Sequence, residues 1–155
     1  MSNEQFTVPT VMEELIANSL PWARFDAAVE SGKLTVRTPK ERSLRMVKES
    51  SKALGDVLYL SAADLYVLAL ALELKEEGYL PSIVTDDYSI QNVANHLGLG
   101  FSSLMTYGIR YRLHWILYCP ACQHKYAADY KLKNCEICGT ALKRKPLAKK
   151  LVNKR

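Results

Sequence analysis

The sequence predicts an α/β domain built on a parallel sheet, followed by a small four-cysteine module. Two observations carry this prediction. Short apolar or β-branched runs alternate with well-punctuated helical segments over residues 1–112, as strands joined through helices would. All four cysteines then fall in one short segment, at positions 119, 122, 135 and 138.

The helices carry explicit start and stop signals. Thr10 and Glu13 have capping-box spacing and open a helix to about Asn18. Pro21 suits the start of a second helix, which Gly32 ends. Residues 33–37 alternate around a β-branched pair and read as a short strand. Thr38, Pro39 and Glu41 supply an N-cap, a first-turn proline and a third-position acid for a helix that runs to about Leu54 and stops at Gly55. Ser61 and Asp64 open the next helix, which Gly78 ends. Between Leu65 and Leu74 only Glu73 is polar, so this helix is expected to lie buried among other elements. Residues 82–85 read as a buried strand feeding a helix whose Ile90, Val93, Ala94 and Leu97 share one face. A third strand is expected over residues 103–107. The expected organisation is an α/β domain over 1–112, a metal module over 113–142 and a basic tail over 143–155.

Composition narrows the class. With 48% hydrophobic and 24% charged residues the chain can bury a core, and disorder throughout is excluded. No segment approaches the ~20 apolar residues of a membrane helix, and the first residues lack a secretion signal, so a cytoplasmic protein is expected. Charge is uneven: residues 1–118 carry a net −3 and residues 119–155 a net +8. An acidic body with a basic C-terminal part suits a metal-using enzyme with a separate grip on a polyanion.

Cys119, Cys122, Cys135 and Cys138 form a C-x2-C, twelve-residue, C-x2-C pattern. Each pair can turn tightly and aim two sulfurs at one ion. Four thiolates complete a tetrahedral Zn²⁺ shell and leave no open position, so a structural zinc is expected. His124 lies between the pairs but is redundant as a ligand. Chelation is expected to unfold residues 115–142.

Four acids are candidates for a second, catalytic site. A metal-dependent phosphodiesterase needs carboxylates converging beyond the C-terminal ends of parallel strands. Asp86 and Asp87 follow the strand at 82–85 directly, Asp64 opens the buried helix, and Glu14 lies in the first helix. Each has an ordinary structural alternative: Asp64 as support for the Ser61 cap and the helix dipole, Asp86 as the cap of the next helix, Glu14 as a solvated helix residue.

The surroundings of these acids resemble a known family. The segment from Phe6 through Glu14 is similar to the stretch that carries the helix glutamate of PIN-domain ribonucleases. Leu60 to Asp64 and beyond resembles the helix bringing their central aspartate, and Thr85-Asp86-Asp87 their Thr-x-Asp motif. The continuation Gln91-Asn92-Val93 with a downstream zinc ribbon resembles one branch, the NIN-one-binding endoribonucleases. The likeness spans about residues 6–145.

It implies a three-layer α/β/α PIN fold with Glu14, Asp64 and Asp87 as catalytic Mg²⁺ or Mn²⁺ ligands, and Asp86 in a weaker supporting role. It also implies an endonuclease that matures the 3′ end of small-subunit ribosomal RNA within pre-ribosomal particles, beside ribosome assembly factors. Family members carry an additional buried strand, ending in an aspartate, ahead of the segment matching Phe6. Without it the sheet would be N-terminally truncated and the acidic set one ligand short. A start site internal to a longer protein and an inactive RNA- or ribosome-binding module are both open readings, as is a toxin-like PIN ribonuclease with another RNA target.

On this reading Arg110, Arg112, Lys131, Lys133, Lys143 and Arg144 are the expected RNA contacts, with Lys149 and Lys150 adding non-specific attraction. Tyr118, Tyr126 and Tyr130 are candidates for stacking on unpaired bases.

Overall fold

The computed structural model describes residues 4–56, 59–104 and 111–151. Strand β1 (Gln5–Thr7) pairs in parallel with β2 (Leu34–Val36), and β3 (Ser82–Val84) pairs in parallel with β4 (Gly100–Ser102). Helices α1 (Pro9–Glu13) and α2 (Leu20–Glu30) connect the first pair. Helices α3 (Glu41–Leu54) and α4 (Ala62–Glu76) lead to the second pair, whose strands α5 (Tyr88–His96) connects. The parallel sheet is thus present, among the described residues, as two separate two-stranded pieces.

Helix α4 holds the two pieces together. Leu68, Ala69, Ala71 and Leu72 pack with Leu44, Val47 and Leu54 of α3, with Ile90, Val93 and Ala94 of α5, and with Ile83. On another side Leu70 and Leu74 pack against Val8, next to Phe6 and Val11. A helix apolar on nearly every face is stable only when enclosed in this way. Its one polar side chain in the apolar run, Glu73, is 3% exposed. It accepts from the Lys40 backbone N–H at 2.8 Å and from Arg37 at 2.6 Å, and Arg37 also pairs with Glu77. Glu73 therefore closes the start of α3 from a distance. This is why α3 begins at Glu41 and not at the local Thr38 cap the sequence offers: the N-cap position is Lys40, with no side-chain cap of its own.

Other boundaries also move. Helix α1 ends at Glu13, short of Asn18, and starts from Val8 without a side-chain cap. The Thr10 hydroxyl is buried without a partner, so the expected Thr10–Glu13 box is not made. The Ser61–Asp64 capping box is made, and Gly55 closes α3 in the left-handed conformation. The strand expected at 103–107 lies earlier, at β4; residues 105–107 fall outside the described residues.

The basic C-terminal segment is corrected more substantially. Residues expected as a tail form strand β7 (Lys143–Leu151), antiparallel to β5 (Tyr111–Tyr118). With β6 (Lys125–Tyr126) they make a three-stranded sheet in the order β6-β5-β7. Pairing satisfies the facing backbone groups of the two long strands, and aromatic side chains on β5 receive the cations: Lys145 lies 4.3 Å from the centre of the Tyr118 ring. No helix among the described residues is long and apolar enough to cross a membrane.

Candidate metal centre and acidic rim

The four cysteines come together as their spacing requires. All four sulfurs lie within 4.8 Å of one another, with Cys119 to Cys138 at 3.3 Å and Cys122 to Cys135 at 3.5 Å. A tetrahedral zinc with Zn–S bonds of about 2.3 Å places sulfurs about 3.8 Å apart, so the cluster fits one such ion. Each knuckle is braced by its own backbone. The Gln123 N–H donates to the Cys119 carbonyl at 3.0 Å, and the Gly139 N–H to the Cys135 carbonyl at 2.8 Å. Gln123 and Gly139 both take positive φ there.

Cys119 and Cys135 are buried, and the Tyr126 hydroxyl sits 3.0 Å from Cys135 Sγ. That hydroxyl bond holds the Cys135 thiol down to about 6, favouring the thiolate a metal needs. Tyr126 is consequently part of the module's small core, stacked on Tyr130 at 4.5 Å between ring centres. Its ring is not presented to a base, contrary to the expectation from sequence. His124 is exposed, lies edge-on to Tyr126, and is not among the clustered ligands.

Asp86 and Asp87 sit in the turn between β3 and α5, Asp64 lies in the first turn of α4, and Glu14 follows α1. Asp87 is the N-cap of α5: its Oδ1 accepts from the Ser89 N–H at 2.6 Å, while its own N–H donates to Thr85 Oγ1 at 3.1 Å. Buried Gln91 reaches back from α5 to the Thr85 carbonyl at 2.8 Å and to Ser103 Oγ at 2.9 Å. The Thr85-Asp86-Asp87 turn is thereby locked to both strands of the second pair. Asp86 is tied to the loop after β4, accepting from the Leu104 N–H at 3.1 Å. The cap of α5, which the sequence offered as the structural alternative for Asp86, falls to Asp87.

Asp64 accepts from the Ser61 N–H at 2.7 Å, and Glu14 is exposed at the C-cap of α1. Glu14, Asp64 and Asp87 are not gathered into one ligand set. Among the described residues only the cysteines bring three or more such ligand atoms together. The described acids alone therefore do not make a divalent-cation cage.

Of the cations expected on RNA, Lys131, Lys133 and Lys143 are exposed. Arg112 lies on β5 opposite Lys150, and Arg110 lies outside the described residues. Arg144 is engaged inside the protein, paired with Asp56 and stacked between two rings. Asp56, 1% exposed, is the residue sequence reading passed over. Nothing in its local pattern distinguishes it, because its partners lie 36 and 88 positions away.

Residues 1–74 match the family described as the PIN domain of ribonuclease, and with acids at the starts of α4 and α5 they define a PIN-domain protein. The chain is 36% identical over 142 residues to the endoribonuclease Nob1 of Methanothermobacter thermautotrophicus, covering 92% of this chain and 82% of that protein. It is 36% identical over 140 residues to the endoribonuclease Nob1 of Pyrococcus abyssi, covering 90% and 83%. To ribonuclease VapC1 of Thermoplasma acidophilum it is 40% identical over 111 residues, but over only 54% of that protein. The chain belongs to the Nob1 endoribonuclease family.

Proposed function

We propose that this protein is a divalent-metal-dependent endoribonuclease that matures the 3′ end of small-subunit ribosomal RNA. Family membership over nine-tenths of the chain carries the reading. It is favoured over a toxin-like ribonuclease because the likeness to Nob1 proteins extends through the cysteine module, where that to VapC1 covers 72% of the chain. Asp87, Asp64 and Glu14 are assigned to Mg²⁺ or Mn²⁺ by residue-by-residue match to the family motifs, with Asp86 in support. Zn²⁺ is assigned to the four cysteines, where it is structural. Lys131, Lys133 and Lys143 are assigned to the RNA backbone, and pre-ribosomal particles with their assembly factors are the proposed setting.

The test is Mn²⁺-dependent cleavage of a labelled RNA spanning the small-subunit 3′ end, with Asp87→Asn as the comparison. Asparagine caps a helix about as well as aspartate, so this substitution removes charge and leaves the start of α5 intact. Cleavage by the parent and its loss in Asp87→Asn is the expected result. Equal cleavage by both would remove Asp87 from the site, and binding without cleavage by either would favour the inactive RNA-binding module.

A further inference from the structure

The cysteine module meets the helical body along α5, where the His96 and His114 rings lie 6.3 Å apart, and at a second corner by Gly55 that leads to Asp87. Gly55 closes α3 directly against the module. A Cβ built at Gly55 would come within 2.4 Å of Ala128 Cβ and 3.0 Å of the Trp115 carbonyl oxygen. Lys52, three residues earlier, pairs with Asp129 at 2.9 Å. From β7, Arg144 reaches into the corner. Its guanidinium carbon lies 3.8 Å from the centre of the Tyr59 ring and 3.9 Å from that of Trp115. Its Nη2 donates to Asp56 Oδ1 at 2.5 Å and to the Gly55 carbonyl at 3.3 Å. The other Asp56 oxygen, Oδ2, accepts from Asn92 Nδ2 at 2.5 Å. Asn92 is on α5, the helix that Asp87 caps.

These contacts use what is particular to arginine. A flat cation can lie between two ring faces while an N–H at its edge meets a carboxylate; an ammonium cannot do both. Asp56 needs the cation. Burial pushes its carboxyl up from the ordinary range, opposed by the bonds from Asn92 and Arg144, and the charge of Asp87 adds to the upward push. With Arg144 removed, a buried carboxylate keeps one neutral partner and one like-charged neighbour, an arrangement that favours protonation and movement.

We propose that Arg144 is a positioning residue, coupling the metal module through Asp56 and Asn92 to the first turns of α5 and so to Asp87. It is a further role for a residue whose sequence context suggested an RNA contact. The kinetic part of the proposal rests on the nuclease reading; the structural part does not.

The experiment uses the zinc-loaded chain of 155 residues and measures amide hydrogen exchange in parent, Arg144→Ala, Arg144→Lys, Asp56→Asn and the Arg144→Ala/Asp56→Asn double variant. Zinc content is checked in each. Exchange in α5 should rise about tenfold in Arg144→Ala, while α2, remote from the corner, stays within about twofold of the parent. Arg144→Lys should fail to restore protection, and the double variant should be no worse than the worse single, because the contacts form one chain. Tyr59→Leu, at a half-exposed position, removes one ring and keeps both charges; it should raise α5 exchange about threefold, and it serves if Arg144→Ala does not fold. Unchanged α5 exchange in the folded variants overturns the proposal, as does equal acceleration in α2, which would mark general destabilisation.

In the cleavage assay kcat should fall about tenfold in Arg144→Ala with KM within about twofold, whereas a lost RNA contact would raise KM. A rise in KM with kcat unchanged overturns the positioning role. Altered α5 exchange in a protein that cleaves no RNA would uphold the coupling and refute the nuclease reading.

Discussion

Gly55 offers the sharpest test of how the module docks. Replacing it with alanine imposes two costs. The residue sits at φ 77° and ψ 19°, and holding a Cβ in that left-handed region costs about 1 kcal/mol. The added carbon would lie 2.4 Å from Ala128 Cβ and 3.1 Å from Trp115 Cβ, so module and body must separate by about 1 Å to restore ordinary carbon–carbon contact. Overpacking of this kind costs about 1–3 kcal/mol. Alanine recovers about 0.4–1 kcal/mol by stiffening the unfolded chain, leaving a net loss of about 1–3.5 kcal/mol. For a chain of this size that is about 3–11 °C in Tm. The control is Gly32→Ala: φ is 70° and nothing lies within 4 Å of the new carbon, so strain and stiffening nearly cancel. Thermal unfolding of both zinc-loaded variants, followed by circular dichroism, decides the matter. If Gly55→Ala is as stable as Gly32→Ala, the module does not press on the body at this corner.

Three further outcomes follow from the same structure. Removing the metal with a strong chelator should unfold the β5–β6–β7 module and red-shift Trp115 emission while the helices persist, since such an ion contributes about 10–16 kcal/mol to folding; unchanged fluorescence with zinc removed would contradict this. Glu73 is held below the ordinary carboxylate range by the Lys40 N–H first and then by Arg37. A depressed folded-state pKa gives stability that is present above the unfolded value of about 4.3 and is lost as pH falls toward the folded value. Glu73→Gln should therefore lose less stability than the parent between about pH 6 and pH 3 in urea titrations, and parallel curves would refute the assignment. Lys131→Ala with Lys133→Ala should weaken RNA binding uniformly across sequences and reduce the salt dependence by about 0.7 per lost phosphate contact; an unchanged slope would remove both lysines from the interface.

Sequence patterns announced what local chemistry controls and missed what distant partners control. The Ser61–Asp64 box, the Gly55 stop and the paired cysteines were legible because each signal and its effect lie within a few residues. The start of α3 was not, because its cap is the Glu73 carboxylate, 33 positions along the chain. The basic segment read as a solvated tail because its charges dominate its composition. Its strand character depends on β5, whose Trp115 and Tyr118 rings receive Arg144 and Lys145. For the same reason Asp56 carried no signal: only the folded chain brings Asn92 and Arg144 to it.

The candidate acids present the opposite difficulty, since their structural and functional signals coincide. In a strand–helix unit the helix begins where the strand ends, so its N-terminus faces the rim where ligands collect. Strand β3 ends at Val84 and α5 begins at Tyr88, leaving Thr85, Asp86 and Asp87 to turn the chain. Asp87, the N-cap of such a helix, is gripped by the Ser89 N–H, and Asp64, the third helical residue of the α4 capping box, by the Ser61 N–H, so each carboxylate is oriented before any ligand arrives. Capping is then no argument against a chemical role, and a chemical role is no argument against capping. Alanine confounds the two by costing about 1 kcal/mol of helix stability along with the charge. Asparagine separates them: the neutral amide should preserve stability to within about 0.5 kcal/mol at the N-cap Asp87, and to within about 1 kcal/mol at Asp64, whose charge also meets the start of α4, while abolishing cleavage at both. Asp64→Asn with parent stability and parent cleavage rate would leave Asp64 as a helix cap alone.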